Sequence, residues 1–125
     1  EIVVPHIHFL KRNSVNVVKL LVDNNNKIHW MSRSDIPFFL NKKDDILKKH
    51  LSIIVFTMNS LMKYSKLKLG YFEKIESIEL LRALENNMKM GSNSIISSSF
   101  SIDVIEDYRK AKFYLKKDKI KKSYI

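Results

Sequence analysis

The pattern of apolar and polar residues is clearest between residues 15 and 31, where two strand-like runs flank a short polar segment. Residues 15–22 are rich in valine and leucine and predict a β-strand. Residues 23–26 are one aspartate and three asparagines, which tolerate the left-handed backbone of a tight turn. We therefore expect residues 27–31 to return as the antiparallel partner and complete a β-hairpin.

Two short helices are predicted directly after this hairpin. Residues 34–40 form the first, because Ser34 can cap it and Asp35 suits the positive end of the helix dipole. Asn41, followed three residues later by an acid, repeats this logic and predicts a second helix over residues 45–50.

The two longest helical patterns lie in the C-terminal half of the chain. Residues 77–90 have apolar side chains at helical spacing, and Gly91 follows as a left-handed stop. Ser101 caps a final helix through about residue 117, with acids in its first half and bases in its second, as the helix dipole favours. The two apolar faces are Ile78, Leu81, Leu84 and Met88, and Ile102, Ile105, Tyr108 and Leu115.

The remaining segments carry weaker signals. Residues 2–9 are apolar but interrupted by Pro5, which predicts an edge strand or an extended arm. Further along, residues 52–57 predict a strand, residues 58–68 have a weak helical pattern, residues 70–72 predict a turn or short strand, and residues 92–99 predict a serine-rich loop.

Together these elements predict an α+β fold: a small antiparallel sheet with a hairpin near residues 15–31, several short helices and two longer C-terminal amphipathic helices. At 125 residues, 45% of them hydrophobic, the chain suits one compact domain. We expect an N-terminal strand or arm over residues 1–14, the α+β domain over residues 15–117 and a basic tail over residues 118–125. Trp30, the only tryptophan, is expected in the core.

Composition excludes several classes of protein. The chain has no cysteine, which excludes disulfides, thiolate metal sites and thiol nucleophiles. Its longest apolar run, residues 53–56, is far shorter than the roughly 20 residues that a membrane-spanning helix needs. The N-terminus has no basic region followed by an apolar stretch, so a soluble intracellular protein is expected.

Charge is distributed unevenly along the chain. The formal net charge is +10 and the pI is about 9.8. Residues 109–125 contain eight lysines or arginines and one acid, whereas residues 73–107 contain seven acids and three bases. We therefore expect a basic C-terminal surface and an acidic surface before it.

The residues from the hairpin onwards also carry a family resemblance. In order they are Lys27-Ile28-His29-Trp30-Met31, Ser34-Asp35-Ile36, Phe39-Leu40, Lys42-Lys43 and Ile46-Leu47-Lys48-Lys49-His50-Leu51, and later Tyr71-Phe72-Glu73-Lys74-Ile75-Glu76-Ser77-Ile78-Glu79-Leu80-Leu81. This series resembles the Bro-N domain of baculovirus repeated-open-reading-frame proteins and of related large DNA viruses, over roughly residues 15–90.

The match departs from the family in two places. Asn41-Lys42 stands where a Gly-Tyr or similar pair is usual, and residues 73–77 only loosely match the polar tip of the late motif. The resemblance implies an α+β nucleic-acid-binding domain of a viral protein, acting in the nucleus or cytoplasm of an infected cell or in the virion.

The candidate nucleic-acid contacts are basic residues in three regions. Those near the second predicted helix lie where backbone amides also favour phosphate, and those of the last helix alternate with aromatic rings that could stack on bases. They are Lys42, Lys43, Lys48, Lys49, Lys63, Lys66, Lys68, Arg109, Lys110, Lys112, Lys116, Lys117, Lys119, Lys121 and Lys122. Each group can equally be the solvated face of a lysine-rich protein, and the rings can belong to the core.

The favoured function is thus binding of DNA, or of another nucleic acid, through backbone electrostatics. The alternative is a viral structural or assembly protein that forms homo-oligomers, with the basic C-terminal region of one copy against the acidic residues 73–107 of another. An acidic protein partner would satisfy the same charge, and a host-protein adaptor stays open. No membrane partner is expected.

Enzyme activity is not expected, because recognisable catalytic motifs are missing. The sequence has no glycine-rich phosphate loop, no Gly-x-Ser-x-Gly elbow and no His-Glu-x-x-His, and its only glycines are Gly70 and Gly91. His6 and His8 point to the same side of a predicted strand, but the other two histidines complete no recognised ligand spacing. We therefore predict no catalytic residues, no metal site and no cofactor.

Overall fold

The structure is a computed structural model that describes residues 2–10, 13–40, 46–97, 100–102 and 104–118. Strands in this part are β1 (Ile2–Val3), β2 (His6–Phe9), β3 (Lys19–Val22), β4 (Ile28–Ser32), β5 (Leu47–His50), β6 (Val55–Phe56) and β7 (Met90–Gly91). Helices are α1 (Met58–Tyr64), α2 (Tyr71–Glu76), α3 (Leu81–Glu85) and α4 (Ile105–Lys117). The mixture of strands and helices confirms the predicted class at this coarse level.

The described strands form two sheets that share the N-terminal segment. One is antiparallel, in the order β2-β5-β3-β4, and the other has the order β6-β1-β7, with β1 antiparallel to β6 and parallel to β7. The segment after β7 continues beside β2, because the His6 amide donates to the Asn93 carbonyl at 3.0 Å. The predicted N-terminal arm thus pairs with other strands of its own chain.

The predicted hairpin is confirmed, although its first strand is shorter than expected. Residues 14–17 form a turn closed by the Val17 amide and the Ser14 carbonyl at 3.2 Å, so the strand starts only at Lys19. In the connecting turn, the Asp23 carboxylate accepts hydrogen bonds from two backbone amides, and Asn26 has a φ of 61°. These are the conformations that the Asp/Asn run predicts.

The two helices predicted after the hairpin are wrong. Residues 34–40 contain no helix, and the Asp35 carboxylate accepts the Asn13 amide at 2.9 Å instead of serving a helix start. Residues 47–50 are strand β5, which pairs with β2 on one side and with β3 on the other. Backbone hydrogen bonds from both edges of β5 to neighbouring strands outweigh the local helical preference of its sequence. The predicted cap at residues 41–45 lies outside the described residues.

The predicted long helix over residues 77–90 is also wrong, since only α3 is helical there. Ser77 and Asn87 adopt left-handed conformations, with φ of 51° and 56°, and these interrupt the helix at both ends. Gly91 belongs to β7 and has no positive φ, so Asn87 takes the role predicted for it. Residues 70–72 were predicted as a turn or strand, but Tyr71 begins α2.

Apolar residues from β1, β3, β4, α3 and β7 form the core. Its buried members are Ile2, Val4, Leu20, Ile28, Met31, Ile78, Leu80, Leu81, Ala83 and Met90. Trp30, predicted in the core, is half-buried against this cluster, with its ring edge-to-face on Phe72 at 4.7 Å. Helix α4 contributes no buried residue, so its predicted apolar face is not part of this core.

A charged side chain is also fully buried beside the core. The Lys19 ammonium donates to the carbonyls of Ser14, at 2.6 Å, and of Arg33, and lies 3.3 Å from the Asp35 carboxylate. Three acceptors replace the water that the ammonium loses, which a buried charge requires. The lysine thereby joins the turn before β3 to the segment after β4.

Helices α2 and α3 are joined by carboxylates. The Glu85 side chain accepts hydrogen bonds from the amides of Tyr71 and Phe72 at 2.9 and 3.2 Å. These two amides lie in the first turn of α2, where they have no acceptor within the helix. The Glu73 carboxylate accepts two hydrogen bonds from the Arg82 guanidinium, at 2.7 and 2.5 Å, and this contact lowers the pKa of Glu73. Gly70 leaves room for Glu85, because a Cβ there would lie 1.9 Å from the carboxylate.

Replacing the buried lysine is expected to destabilise the protein. The Lys19→Met variant removes the donor shared by two carbonyls and the Asp35 carboxylate, and we expect a loss of about 3 kcal/mol in the free energy of unfolding. Urea denaturation followed by circular dichroism measures this loss. Lys27→Met, at an exposed side chain, is the matched control and should change the value by less than about 0.5 kcal/mol. Equal effects of the two variants would contradict the assigned role of Lys19.

The two glycines should respond differently to the same substitution. Gly70→Ala forces the Glu85 carboxylate away from the start of α2 and should cost about 1 kcal/mol of unfolding free energy. Gly91→Ala meets only the Asn26 carbonyl at 3.5 Å, an ordinary contact, and should be close to neutral. Thermal unfolding of both variants tests the difference, and a larger loss for Gly91→Ala would refute this account.

Candidate functional site

A cavity of about 220 Å³ lies where β3, β4 and β5 meet the segment between α2 and α3. We call it the His50 cavity. Its lining residues are Asn16, Val17, Val18, Met31, Arg33, Lys49, His50, Ser52, Ser77, Ile78, Glu79, Leu80 and Ser101. An adjoining cavity of about 240 Å³ shares Lys49, His50, Ser52 and Ser101 with it. Polar side chains from distant segments thus come together here.

Arg33 forms a fixed wall of the His50 cavity. Its guanidinium nitrogens donate to the carbonyls of Glu76, Val15 and Ser77 at 2.9, 2.9 and 3.1 Å. The Glu76 carboxylate in turn accepts the Arg33 amide at 3.0 Å and the Ser32 hydroxyl at 2.7 Å. The end of β4 is thus tied to the end of α2, and the Arg33 charge is held in one position.

His50 is the titratable group with the most distinctive environment in this cavity. Its Nε2 atom is buried and has no hydrogen-bond partner among the described residues. Burial lowers the pKa of the imidazole below its ordinary value of 6.5, and the Glu79 carboxylate opposes this shift to a smaller extent. At neutral pH the ring is therefore uncharged, and it can donate a hydrogen bond to a polar group or accept one from it.

Lys49 supplies a positive charge without a carboxylate partner. Its ammonium lies 5.8 Å from the centre of the Phe9 ring, and in the described part of the chain no hydrogen bond or ion pair engages it. The neighbouring Lys48 is different, because it donates to the Val22 carbonyl at 3.1 Å. Of the two β5 lysines, only Lys49 lines the cavity.

The chemistry of the His50 cavity suits a small anionic molecule with several hydroxyl groups. Lys49 offers an ammonium, His50 a neutral imidazole and Glu79 a carboxylate that can accept hydrogen bonds. Serine hydroxyls at positions 52, 77 and 101 can donate or accept. A few polar groups arranged around one concavity are typical of small-molecule sites.

The other predicted nucleic-acid contacts lie on separate, exposed surfaces. Lys63, Lys66 and Lys68 are on and after α1, and the basic residues of α4 are Arg109, Lys110, Lys112, Lys116 and Lys117. Three of the α4 lysines lie over aromatic rings of the same region, at 4.4 to 5.8 Å from the ring centres. Lys42, Lys43, Lys119, Lys121 and Lys122 lie outside the described residues. Of these described groups, Lys110 borders a cavity that Lys49 also borders, whereas none of them lines the His50 cavity.

Of the two histidines of β2, His6 has a structural contact. His6 is buried, and its Nδ1 lies 2.6 Å from the Ser92 hydroxyl, which donates to the Val4 carbonyl at 2.6 Å. The His8 ring lies 6.0 Å from the His6 ring. Over the described residues, no group of three or more histidine, cysteine or acidic side chains could hold a metal ion. In the same residues, no helix is long and apolar enough to cross a membrane.

The sequence is similar to curated enzymes of one kind, although no family model matches it. It is 33% identical over 114 residues to a 3-deoxy-manno-octulosonate cytidylyltransferase of Trichlorobacter lovleyi, covering 82% of this chain and 45% of the relative. It is 38% identical over 93 residues to an 8-amino-3,8-dideoxy-manno-octulosonate cytidylyltransferase of Shewanella baltica, covering 74% and 38%. A cytidylyltransferase of Thermodesulfovibrio yellowstonii, named for 3-deoxy-manno-octulosonate, gives 37% over 98 residues. This chain spans less than half the length of each relative.

A solved structure shares the fold. CMP:2-keto-3-deoxy-manno-octonic acid synthetase, in complex with CTP, superposes with a TM-score of 0.83 at 20% sequence identity. The superposition covers 93% of this chain and 49% of the synthetase chain. The described residues therefore have the fold of about half of that protein.

These findings correct the viral interpretation. The Bro-N resemblance is wrong: it depended on two helices after the hairpin, one of which is strand β5, and the similar proteins are cytidylyltransferases. The same findings contradict the predicted DNA binding, the predicted DNA partner and the alternative role in viral assembly. The prediction that this is not an enzyme is also contradicted, because the similar proteins are named cytidylyltransferases. The motif search had covered less than half the length of these relatives.

Sequence reasoning missed Arg33, His50 and Glu79 as members of one site. They lie far apart in the chain and meet only because β5 inserts between β2 and β3. The helix predicted over residues 45–50 gave no indication that Lys49 and His50 belong to a strand of the central sheet.

One buried and one half-buried histidine, His6 and His50, predict that stability falls in mild acid. The pKa of His6 and of His50 is lowered mainly by burial, so the unfolded chain takes up protons first as the pH drops through 6.5. The stability is complete above pH 6.5 and declines below it, by at most about 1.4 kcal/mol per pH unit for each ring. Urea midpoints between pH 5 and 8 measure this slope, and His50→Gln should reduce it. A midpoint that rises towards pH 5 would refute the assignment.

Proposed function

We propose that this chain contributes the sugar-acid site of a cytidylyltransferase, which joins CMP from CTP to 3-deoxy-manno-octulosonate or to its 8-amino analogue. The observation that carries the proposal is the 33% identity to such an enzyme over 82% of this chain. The TM-score of 0.83 with a synthetase bound to CTP supports it independently of sequence. A CTP-dependent reaction would place the protein inside the cell, where CTP is made.

The His50 cavity has the functional groups that such a substrate requires. An octulosonate carries one carboxylate and a row of hydroxyl groups. The Lys49 ammonium, which no hydrogen bond or ion pair of the described residues engages, is suited to the carboxylate, since charge-assisted hydrogen bonds are about twice as strong as neutral ones. Glu79 and the neutral His50 ring are suited to the hydroxyls.

The fixed wall at Arg33 supports the same assignment. Because three carbonyls hold the guanidinium, its charge contributes a constant positive potential without moving on binding. A rigid wall limits the conformational cost of binding a flexible sugar acid. These residues would bind and orient the sugar, so that one of its hydroxyl oxygens can attack the α-phosphorus of CTP as pyrophosphate leaves.

Sugar-acid binding tests the proposal directly. We expect 3-deoxy-manno-octulosonate to bind this chain, and Lys49→Met to raise the dissociation constant about tenfold, because a charge-assisted contact of about 1.4 kcal/mol is lost. Isothermal titration calorimetry measures both constants. Lys48→Met removes the same charge from the opposite face of β5 and is the matched control.

Three outcomes would count against the proposed site. They are no heat of binding at millimolar sugar acid, equal weakening by the two lysine variants, and equal affinity for D-mannose, which lacks the carboxylate. Chemical shifts of the His50 ring that move with the sugar acid but not with D-mannose would place the ligand beside this residue.

A further inference from the structure

The segment between α2 and α3 supplies the carboxylate of the His50 cavity. It comprises residues 77–80, all of which line the cavity. Ile78 and Leu80 are buried in the core, whereas Glu79 between them is exposed. Among the described residues, no hydrogen bond or ion pair holds the Glu79 carboxylate. Its position therefore depends on the backbone that carries it.

The Tyr64 hydroxyl fixes this backbone from the side of α1. It donates to the Glu79 carbonyl at 3.0 Å, and the same carbonyl accepts the Arg82 amide at 3.3 Å. Tyr64 is the last residue of α1, so its hydrogen bond joins the end of that helix to the segment between α2 and α3. Burial raises the pKa of the Tyr64 phenol above its ordinary value. The hydroxyl therefore keeps its proton at neutral pH and acts as the donor.

Neighbouring groups hold the Tyr64 ring in place. The ring packs on Phe56 of β6 with 5.4 Å between the ring centres, and the Arg82 guanidinium carbon lies 5.3 Å from the centre of the tyrosine ring. The guanidinium is itself held, since it donates twice to the Glu73 carboxylate and once to the Leu67 carbonyl. A side chain fixed by packing in this way can orient a group of a binding site through a hydrogen bond.

We propose that Tyr64 is a positioning residue for the sugar-acid site: its hydroxyl holds the Glu79 carbonyl and so places the Glu79 carboxylate beside the His50 ring. Tyr64 does not line the His50 cavity, so it acts on a ligand only through Glu79. Its effect on sugar-acid binding rests on the proposed function. The connection from Tyr64 through Glu79 to His50 does not.

The Tyr64→Phe variant tests this role, because it removes the hydroxyl and keeps the ring against Phe56. The Glu79 carboxylate raises the pKa of the His50 ring, so a displaced carboxylate should lower this pKa. NMR titration of the ring without ligand measures the change. We also expect the dissociation constant for 3-deoxy-manno-octulosonate, measured by calorimetry, to rise about threefold.

Two further variants separate positioning from a general loss of structure. Glu79→Gln removes the charge and keeps the carbonyl, so adding Tyr64→Phe to it should cause no further change in the His50 pKa. Tyr71→Phe is the matched control, because no hydrogen bond of the described residues engages the Tyr71 hydroxyl. It should leave both the pKa and the dissociation constant unchanged.

Three results would overturn the inference. The first is a Tyr64→Phe variant that is less stable in urea but has an unchanged His50 pKa, which would make the role of Tyr64 purely structural. The second is an equal fall in this pKa with and without Glu79→Gln, because the hydroxyl would then act independently of Glu79. The third is an unchanged dissociation constant for a sugar acid that does bind.

Failure of the proposed function gives a different result. The sugar acid would then not bind the unaltered chain, and the comparison of His50 pKa values, made without ligand, would still decide whether Tyr64 positions Glu79.

Discussion

The buried ammonium of Lys19 is the constraint from which the site is built. A charge without water must keep its acceptors, and here they are carbonyls of Ser14 and Arg33 and the carboxylate of Asp35. The turn before β3 and the segment after β4 are therefore held against the same atom. Once the Arg33 backbone is fixed in this way, its guanidinium reaches the carbonyls at the end of α2. The position of the Arg33 wall of the cavity therefore depends on the protein acceptors that replace water around the Lys19 ammonium.

The same strand also sets the position of the polar groups opposite that wall. Lys19 is the register partner of Lys49 in the pairing of β3 with β5, and the next residue, His50, donates its amide to the Val18 carbonyl at 2.9 Å. The Lys49 ammonium and the His50 ring thus occupy positions dictated by β3. Because β5 has a partner on both edges, a one-residue register shift, which would turn each side chain to the other face, would break two ladders.

Local signals in the sequence predicted local structure and little beyond it. The hairpin was predictable because its turn is determined by Asp23 and Asn26, which act within a few residues. Strand β5 was not, because its conformation depends on β2 and β3, and Leu47 to His50 read alone as a helix. The His50 cavity shares this dependence: its members come from four segments that only the sheet order joins. No spacing rule on a single segment could have found it.

Net charge was the least informative feature, and the structure explains why. A charge of +10 attracts any polyanion, so it does not distinguish a DNA backbone from a nucleoside triphosphate or a sugar acid. The described cations of α4 are exposed, and two of them lie over rings of their own helix. The cavity has two cations: Arg33, which carbonyls hold, and Lys49, which no described carbonyl or carboxylate engages. An excess of exposed lysines can raise the local concentration of anionic substrates around the molecule. Selection among those anions then requires the carboxylate, imidazole and hydroxyls that surround Lys49, and these contribute almost nothing to the net charge.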